Sequence, residues 1–500
     1  MVADAGVIAR RPEMGRDSAW LAGADLVAVF LALFGQVVLT RALWTESYGL
    51  FIIALDVFAT LFLMIDLGLP TLLARDGSSA MHRIVPSIHR IYRLQFLVAL
   101  PFVLLAIIAV PLVDSQWREN APLVLICAAI ALIHIASYAP RSGLRAAGEA
   151  RLEAWTKVLE RGLTTVAYMT LYFLGVTSVS GYAFAFLFGA SSGLFFALRW
   201  VKKSLSVFEH QPGKYGDMGP SWTDNRALLL QALPFAVTLG VLPYVVRIEK
   251  FIVSIELGVE SAALFHVAQL AWLAGLVIPQ ALRAALLPVL GQTRTERHRF
   301  EKHMAASLDV CLGLLAVGIF AGALIVSVFL PVAFPSQYTD GTLGVSAVTL
   351  FMVLLLGWCF TLLSTPTYTA LQAGLQPWRF TAFIGLVVAF AALIGFPMIS
   401  SAAQHSAASG LFAAAVASTL SAAFSLVLSI QLSGTWQMVR ERASQWILAI
   451  AGSSFACIGL VQGSLLALSG CVLVVFIPQA LRAGLSTIPE TTLVRTLAEE

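Results

Sequence analysis

The chain has 500 residues, of which 59% are hydrophobic and 12% charged, with a mean hydropathy of +0.86; a soluble domain carries about 25% charged residues, so a soluble globular fold is excluded. The net charge of +4 and pI near 8.8 do not indicate nucleic-acid binding, because the basic residues are scattered over short segments instead of gathered in a patch. Cys127, Cys311, Cys359, Cys457 and Cys471 lie in apolar runs with no CxxC and no paired histidine. That excludes a disulfide framework and a Cys/His metal site, and leaves them as small core residues.

The N-terminal residues 1–18 carry Arg10, Arg11 and Arg16 ahead of a long apolar run. That run exceeds a signal-peptide core and shows no small-residue cleavage site, so a retained cytoplasmic leader is expected. Ala19–Leu39 then has one charge in 21 residues, and Thr342–Ala373 has none in 32. About 20 apolar residues span a bilayer as a helix, and strand alternation of the barrel type is absent. The fold class is therefore an all-α polytopic membrane protein.

Hydropathy places fourteen spans at 19–41, 48–73, 91–113, 121–145, 154–175, 178–200, 226–250, 258–290, 304–331, 343–373, 378–400, 408–432, 445–464 and 466–486. Span 1 carries Asp25 and Gln36 and ends at Arg41. Span 2 carries Asp56 and Asp66, span 4 carries His134, and span 8 carries His266. The seventh span ends in YVVRIEKFIVSIELG, which holds Arg247, Glu249, Lys250 and Glu256 in an otherwise apolar stretch. Prolines 70, 101, 234, 243, 279, 288, 366 and 397 fall in or beside spans, where they supply bends.

With the N-terminus inside, 27 of the 31 Lys and Arg residues fall on the cytoplasmic side; only Arg41, Arg118, Arg247 and Lys250 do not. One missed span would invert every later loop, so this bias supports the count and places both termini in the cytoplasm. The long Gly/Pro-containing connection 201–225 separates two lobes, 19–200 and 226–432, followed by two extra helices and a cytoplasmic tail in 433–500. TESYGLF (45–51) recurs as VESAALF (259–265) at an offset of 214, and LRAAGEARLEAW (144–155) as ALQAGLQPWRFTA (370–382) at an offset of 226. These matches map span 2 on span 8 and span 4 on span 10, as parallel repeats about an axis along the membrane normal.

The segment TRALWTESYGLFIIALDVFATLFLMIDLGLPTLLARDG (40–77) resembles the N-terminal signature of polysaccharide-unit flippases of the MOP superfamily. Arg41, Tyr48-Gly49, Asp66 and Gly68 stand at its marked positions. RIEKFIVSIELGVESAALFHVAQLAWLAGLVIPQALRAALLPVLGQ resembles the matching stretch of the second lobe, with Glu249 where the family has aspartate. The resemblance covers about 20–430. It implies two six-helix lobes in a V around a central cavity and alternating access, with lipid-linked oligosaccharide or polysaccharide repeat units as substrate. It further implies residence in a bacterial inner membrane beside membrane lipids, and makes a glycan polymerase or glycosyltransferases candidate partners. We expect a monomer, no nucleic-acid partner and no cofactor.

A pyrophosphate crossing hydrocarbon calls for fixed cations in a wet cavity, and arginine matches phosphate oxygens in pairs. Arg247 and Lys250 share a helix face, with Glu249 pointing elsewhere. Arg41 is the matching cation of the first lobe, so these three form the candidate phosphate site; the competing reading is that Arg247 and Lys250 end span 7 at the headgroups. Asp56, Asp25 and Glu249 are candidates for ion coupling, since buried carboxylates can load and release a proton. Asp66, beside Gly68 and Pro70, is read as a helix-end residue. Gln36, His134 and His266 are candidate polar cavity residues, the histidines being packing residues on the alternative view. No GxSxG, HExxH or Walker motif appears, and the outer loops are short, so an enzyme is not expected. The alternatives are a cation-coupled drug or metabolite antiporter of the same superfamily and a non-transporting membrane scaffold in glycan assembly.

Overall fold

The computed structural model describes residues 14–109, 115–209, 217–342, 344–374 and 376–462. In chain order its helices are α1 (Met14–Ala42), α2 (Thr45–Leu61), α3 (Leu69–Asp76), α4 (Ile84–Ala109), α5 (Ser115–Glu119), α6 (Ala121–Ala146), α7 (Ala150–Phe173) and α8 (Val179–Glu209). They continue as α9 (Asn225–Val241), α10 (Tyr244–Gly275), α11 (Val277–Thr293), α12 (Arg297–Ala333), α13 (Ser336–Thr339) and α14 (Ala347–Gln372). The last are α15 (Pro377–Ala403), α16 (Ala407–Ser433), α17 (Trp436–Glu441) and α18 (Ala443–Gln462). Ten helical segments among the described residues are long and apolar enough to cross a membrane, and two shorter apolar helices, Asn225–Val241 and Ala321–Ala333, add to them. The protein is thus an all-α, multi-pass membrane protein. The expected last span, Cys471, the C-terminal tail and most of the leader lie outside the described residues.

The seventh span differs from its expected bounds. Its helix breaks between Val241 and Tyr244, where Pro243 lacks an N–H, and the chain then stays helical through RIEKFIVSIEL. The turn into the eighth span comes at Gly258, whose φ of 83° and ψ of 173° suit a residue without a side chain. The RIEK residues therefore lie in the first two turns of α10 instead of at the C-terminal end of a helix.

Within the described residues, contacts divide the chain into two compact units. The first is Met1–Ala32, Leu61–Thr170 and Tyr182–Ala236, and the second is Leu33–Thr60, Leu171–Gly181 and Val237–Glu500. The first unit's core gathers Leu69, Leu72 and Leu73 of α3, Ile84, Ile88 and Ile91 of α4, and Leu144 of α6. Its α7 and α8 meet through small residues: a Cβ on Gly189 would lie 1.9 Å from Thr164 Oγ1, and one on Gly193 would lie 2.9 Å from Glu160 Cβ.

The second unit is organised around α14, whose Leu354, Leu355, Trp358, Leu362 and Leu363 are buried. The Trp358 ring lies over Gly318 of α12, and its Nε1 donates to the Gly275 carbonyl at 2.8 Å. Ser346 and Ser406 cap α14 and α16 by accepting from Thr349 N and Ser409 N, each at 3.1 Å. The sequence repeats acquire a physical meaning here. Gly49 of TESYGLF lies against Val259 of VESAALF, so closely that a Cβ would sit 2.1 Å from the Val259 carbonyl oxygen. The second repeat pair differs between its copies: Gly148, between α6 and α7, has a φ of 78°, whereas Gly374, after α14, is not in the left-handed region.

Candidate functional site

Asp56 and Thr60 stand four apart on α2 and so share a face. Arg247 and Lys250 stand three apart on α10. All four belong to the second unit, where these two faces meet. Arg247 Nε lies 3.1 Å from Asp56 Oδ1, and its Nη1 donates to Thr60 Oγ1 at 2.8 Å. Lys250 forms a close ion pair with the other oxygen of Asp56. The Lys250 ammonium also lies 3.0 Å from His266 Nδ1. An ammonium only donates, so Nδ1 accepts, and His266 carries its hydrogen on Nε2.

The burial is graded. The Lys250 side chain is 3% exposed, Asp56 13% and Arg247 27%. Lys250 is thus sealed between Asp56 and His266, while the Arg247 side chain keeps part of its surface exposed. The formal charge of the Arg247, Lys250 and Asp56 group is +1. Uncompensated, Lys250 would be costly at this depth; Asp56 makes it tolerable.

Polar contacts continue outward from His266. Its ring lies 6.1 Å from that of Tyr48, which packs edge-on against Tyr338 at 6.2 Å. Tyr48 Oη donates to Gln36 Oε1 at 2.7 Å. Gln36, Tyr48, His266, Lys250, Asp56 and Arg247 thus form one chain of neighbours drawn from α1, α2 and α10.

The other sequence candidates fall elsewhere. Arg41 donates from Nε to the Ala333 carbonyl at 2.9 Å and from Nη2 to the Val332 carbonyl at 2.8 Å. It caps the C-terminal end of α12, where the helix dipole favours a cation, and shares no partner with Arg247 or Lys250. Glu249 is buried on another side of α10, where Ser421 Oγ of α16 donates to it at 3.4 Å. Asp25 belongs to the first unit and pairs with Lys157 at 2.8 Å, with its side chain 55% exposed. Asp66 Oδ1 accepts from Gly68 N at 3.0 Å, the helix-end role expected of it. The four described cysteines are buried and none of them is in a disulfide.

His134 also lies in the first unit, in a cluster not anticipated from the sequence. Its Nε2 lies 3.1 Å from Glu160 Oε1, and Arg141 Nη2 lies 2.5 Å from Glu160 Oε2. Arg161 is 3.9 Å from Glu160 and lies over the Phe186 ring at 5.4 Å. One turn away Arg145 pairs with Glu153. The spacing of Glu153, Lys157, Glu160 and Arg161 is a one-face helical stripe. That signal was in the sequence, though the basic members also read as cytoplasmic charges.

Residues 14–294 match the family model described as polysaccharide biosynthesis protein. The chain belongs to that family. No curated protein matches it significantly. Among solved structures it resembles an outward-facing multidrug resistance MATE family transporter of the MOP superfamily, with 17% identity and a TM-score of 0.57 over 87% of this chain and 99% of that one. A MOP superfamily transporter from Pyrococcus furiosus, described by the reversed polarity of its binding pocket, aligns at 18% identity and a TM-score of 0.58, covering 87% of this chain and 98% of that one. A MATE structure in a straight conformation gives 18%, 0.56, 86% and 96%. The family member described here therefore has the fold of MOP-superfamily transporters.

Proposed function

We propose that the protein is a flippase that moves lipid-linked oligosaccharide or polysaccharide repeat units across the cytoplasmic membrane by alternating access. The observation that carries this reading is the pairing of Arg247 and Lys250 inside an apolar helix with a carboxylate as their shared partner. Two cations converging on the two oxygens of one carboxylate can equally hold two oxygens of a phosphate. Arg247, the more exposed of the two, would meet the incoming anion first. Asp56 would offset part of the pair's charge while no substrate is bound, and would be the coupling group. Membership of the polysaccharide biosynthesis family supports the glycan class of the substrate.

In this reading the leader and the tail are cytoplasmic and the protein acts as a monomer in a bacterial inner membrane, with a polymerase or glycosyltransferases as neighbours. A cation-coupled antiporter of the same superfamily is the second reading. It is favoured by the saturation of both cations by Asp56 and by the multidrug transporters among the structural relatives.

The test is flipping of a fluorescent lipid-linked sugar in proteoliposomes. Arg247→Ala should abolish flipping with expression and chromatographic profile unchanged. Normal flipping in Arg247→Ala removes the phosphate-site reading, and exchange of organic cations without flipping selects the antiporter. Arg41→Ala separates two roles: loss of flipping with normal thermal stability restores Arg41 to the site, whereas lowered stability marks it as a helix cap.

A further inference from the structure

A second polar feature of the second unit adjoins the Asp56 group. Helices α10, α11, α14, α15 and α16 line a partly open cavity of about 180 Å³ that Val246 borders but none of Arg247, Lys250, Asp56 or His266 lines. An apolar cavity of about 150 Å³ accommodates a benzene molecule, so this one takes a short hydrocarbon segment but not a glycan. Phe380, Phe383, Ile384 and Val387 of α15 form one wall.

Polar groups reach the lining from α10, α11, α14 and α16, and the α15 wall has none. Arg283 of α11 is the one charged side chain lining the cavity, and its guanidinium has no hydrogen bond or ion pair among the described residues. The Trp272 ring also lines the cavity, and its Nε1–H is buried without an acceptor. The hydroxyls opposite are already committed: Thr361 donates to the Gly357 carbonyl at 3.0 Å and Ser364 to the Thr361 carbonyl at 2.8 Å. Gln269, Tyr368 and three serines of α16 also line the cavity, and Ser421 among them donates to Glu249 behind the wall; the guanidinium and the indole are two donors that no described group accepts from, and no carboxylate lies on the lining itself.

A half-buried cation and a buried donor, neither with a partner, call for an anionic acceptor, and the α15 wall calls for hydrocarbon. We propose that this cavity binds an anionic amphiphile of the phosphate monoester class, with its phosphate on Arg283 and Trp272 and the first part of its chain against the α15 wall. The site is separate from the Asp56 group and stands whether or not that group carries a transported substrate.

The test uses the purified full-length protein and native mass spectrometry with decyl phosphate, decanol and inorganic phosphate at matched concentrations. Decyl phosphate should bind with one tight site, decanol more weakly, and inorganic phosphate without detectable occupancy. Loss of an arginine–phosphate contact weakens binding on the order of tenfold to a hundredfold, so Arg283→Gln should show that loss for decyl phosphate and little change for decanol. Arg283→Lys should keep part of the affinity, and the exposed Arg199→Gln should keep all of it. Ala422→Phe, which fills the cavity, should remove both amphiphiles. Equal binding of decyl phosphate and decanol, undiminished binding in Arg283→Gln, or equal binding of inorganic phosphate would each overturn the proposal.

Discussion

Asp56→Ala and Lys250→Met perturb the same ion pair but should differ in cost. Removing Asp56 strands Lys250, whose side chain is 3% exposed and which keeps only His266 at 3.0 Å. A buried charge left without its partner costs about 3–5 kcal/mol, and the remaining histidine contact argues for the lower end. Arg247, 27% exposed, keeps Thr60 and rehydrates, adding at most about 1 kcal/mol. Lys250→Met leaves Asp56 on Arg247 at 3.1 Å through Oδ1, while Asp56 Oδ2 and the neutral His266 Nδ1 lose the ammonium. That costs about 1–2 kcal/mol. The double variant should resemble Lys250→Met, because no buried ammonium remains to be stranded. Thermal midpoints in one detergent, read by size-exclusion fluorescence, give the order: Asp56→Ala well below Lys250→Met, and the double variant above Asp56→Ala. Equal losses in the two single variants, or strict additivity in the double, would refute the stranded-charge reasoning.

Gly49→Ala places a Cβ 2.1 Å from the Val259 carbonyl oxygen, so overpacking of about 1–3 kcal/mol should lower the thermal midpoint; an unchanged midpoint would show that α2 and α10 separate freely. In the first unit, Glu160→Gln should cost about 3 kcal/mol by stranding the largely buried Arg141, while Arg161→Ala, 3.9 Å from that carboxylate, should cost under about 1 kcal/mol. Reversal of that order in thermal stability would reassign the cluster. Ser346→Ala removes the cap of α14 and should cost about 1 kcal/mol, with Ser346→Gly recovering most of it, measured in the same way.

The membrane fold was legible because hydropathy and charge bias act residue by residue along the chain. The pairing of Arg247 with Lys250 was legible too, since a spacing of three fixes a shared face. Their partner was not: Asp56 lies far away in sequence, and nothing local to VFATLFL announces which helix it will meet. Arg41 illustrates the opposite limit. A cation at a helix end looks the same in sequence whether it serves a ligand or the carbonyls of Val332 and Ala333. The Glu160 cluster was hidden because Arg141, Lys157 and Arg161 serve equally well as topology signals and as ion-pair partners. The first repeat pair also marks a contact, because the glycine of its first copy receives the backbone of the second.

One break in the first unit has a mechanical consequence. After α2 the chain tightens into a 3₁₀ turn over Phe62–Asp66, and Leu67 and Gly68 then take left-handed conformations with φ of 58° and 67°. The polar groups this exposes are satisfied from the side: Gln95 Nε2 donates to the Asp66 carbonyl at 3.2 Å, and Gly68 N donates to the Asp66 carboxylate. An intact helix resists bending because every turn must stretch its own ladder. Here the ladder is already interrupted, and side chains that can follow the movement hold the loose ends. The interrupted ladder at Asp66–Gly68 is therefore the compliant point at the start of α3, and a bending load on this stretch concentrates there while α3 itself stays stiff.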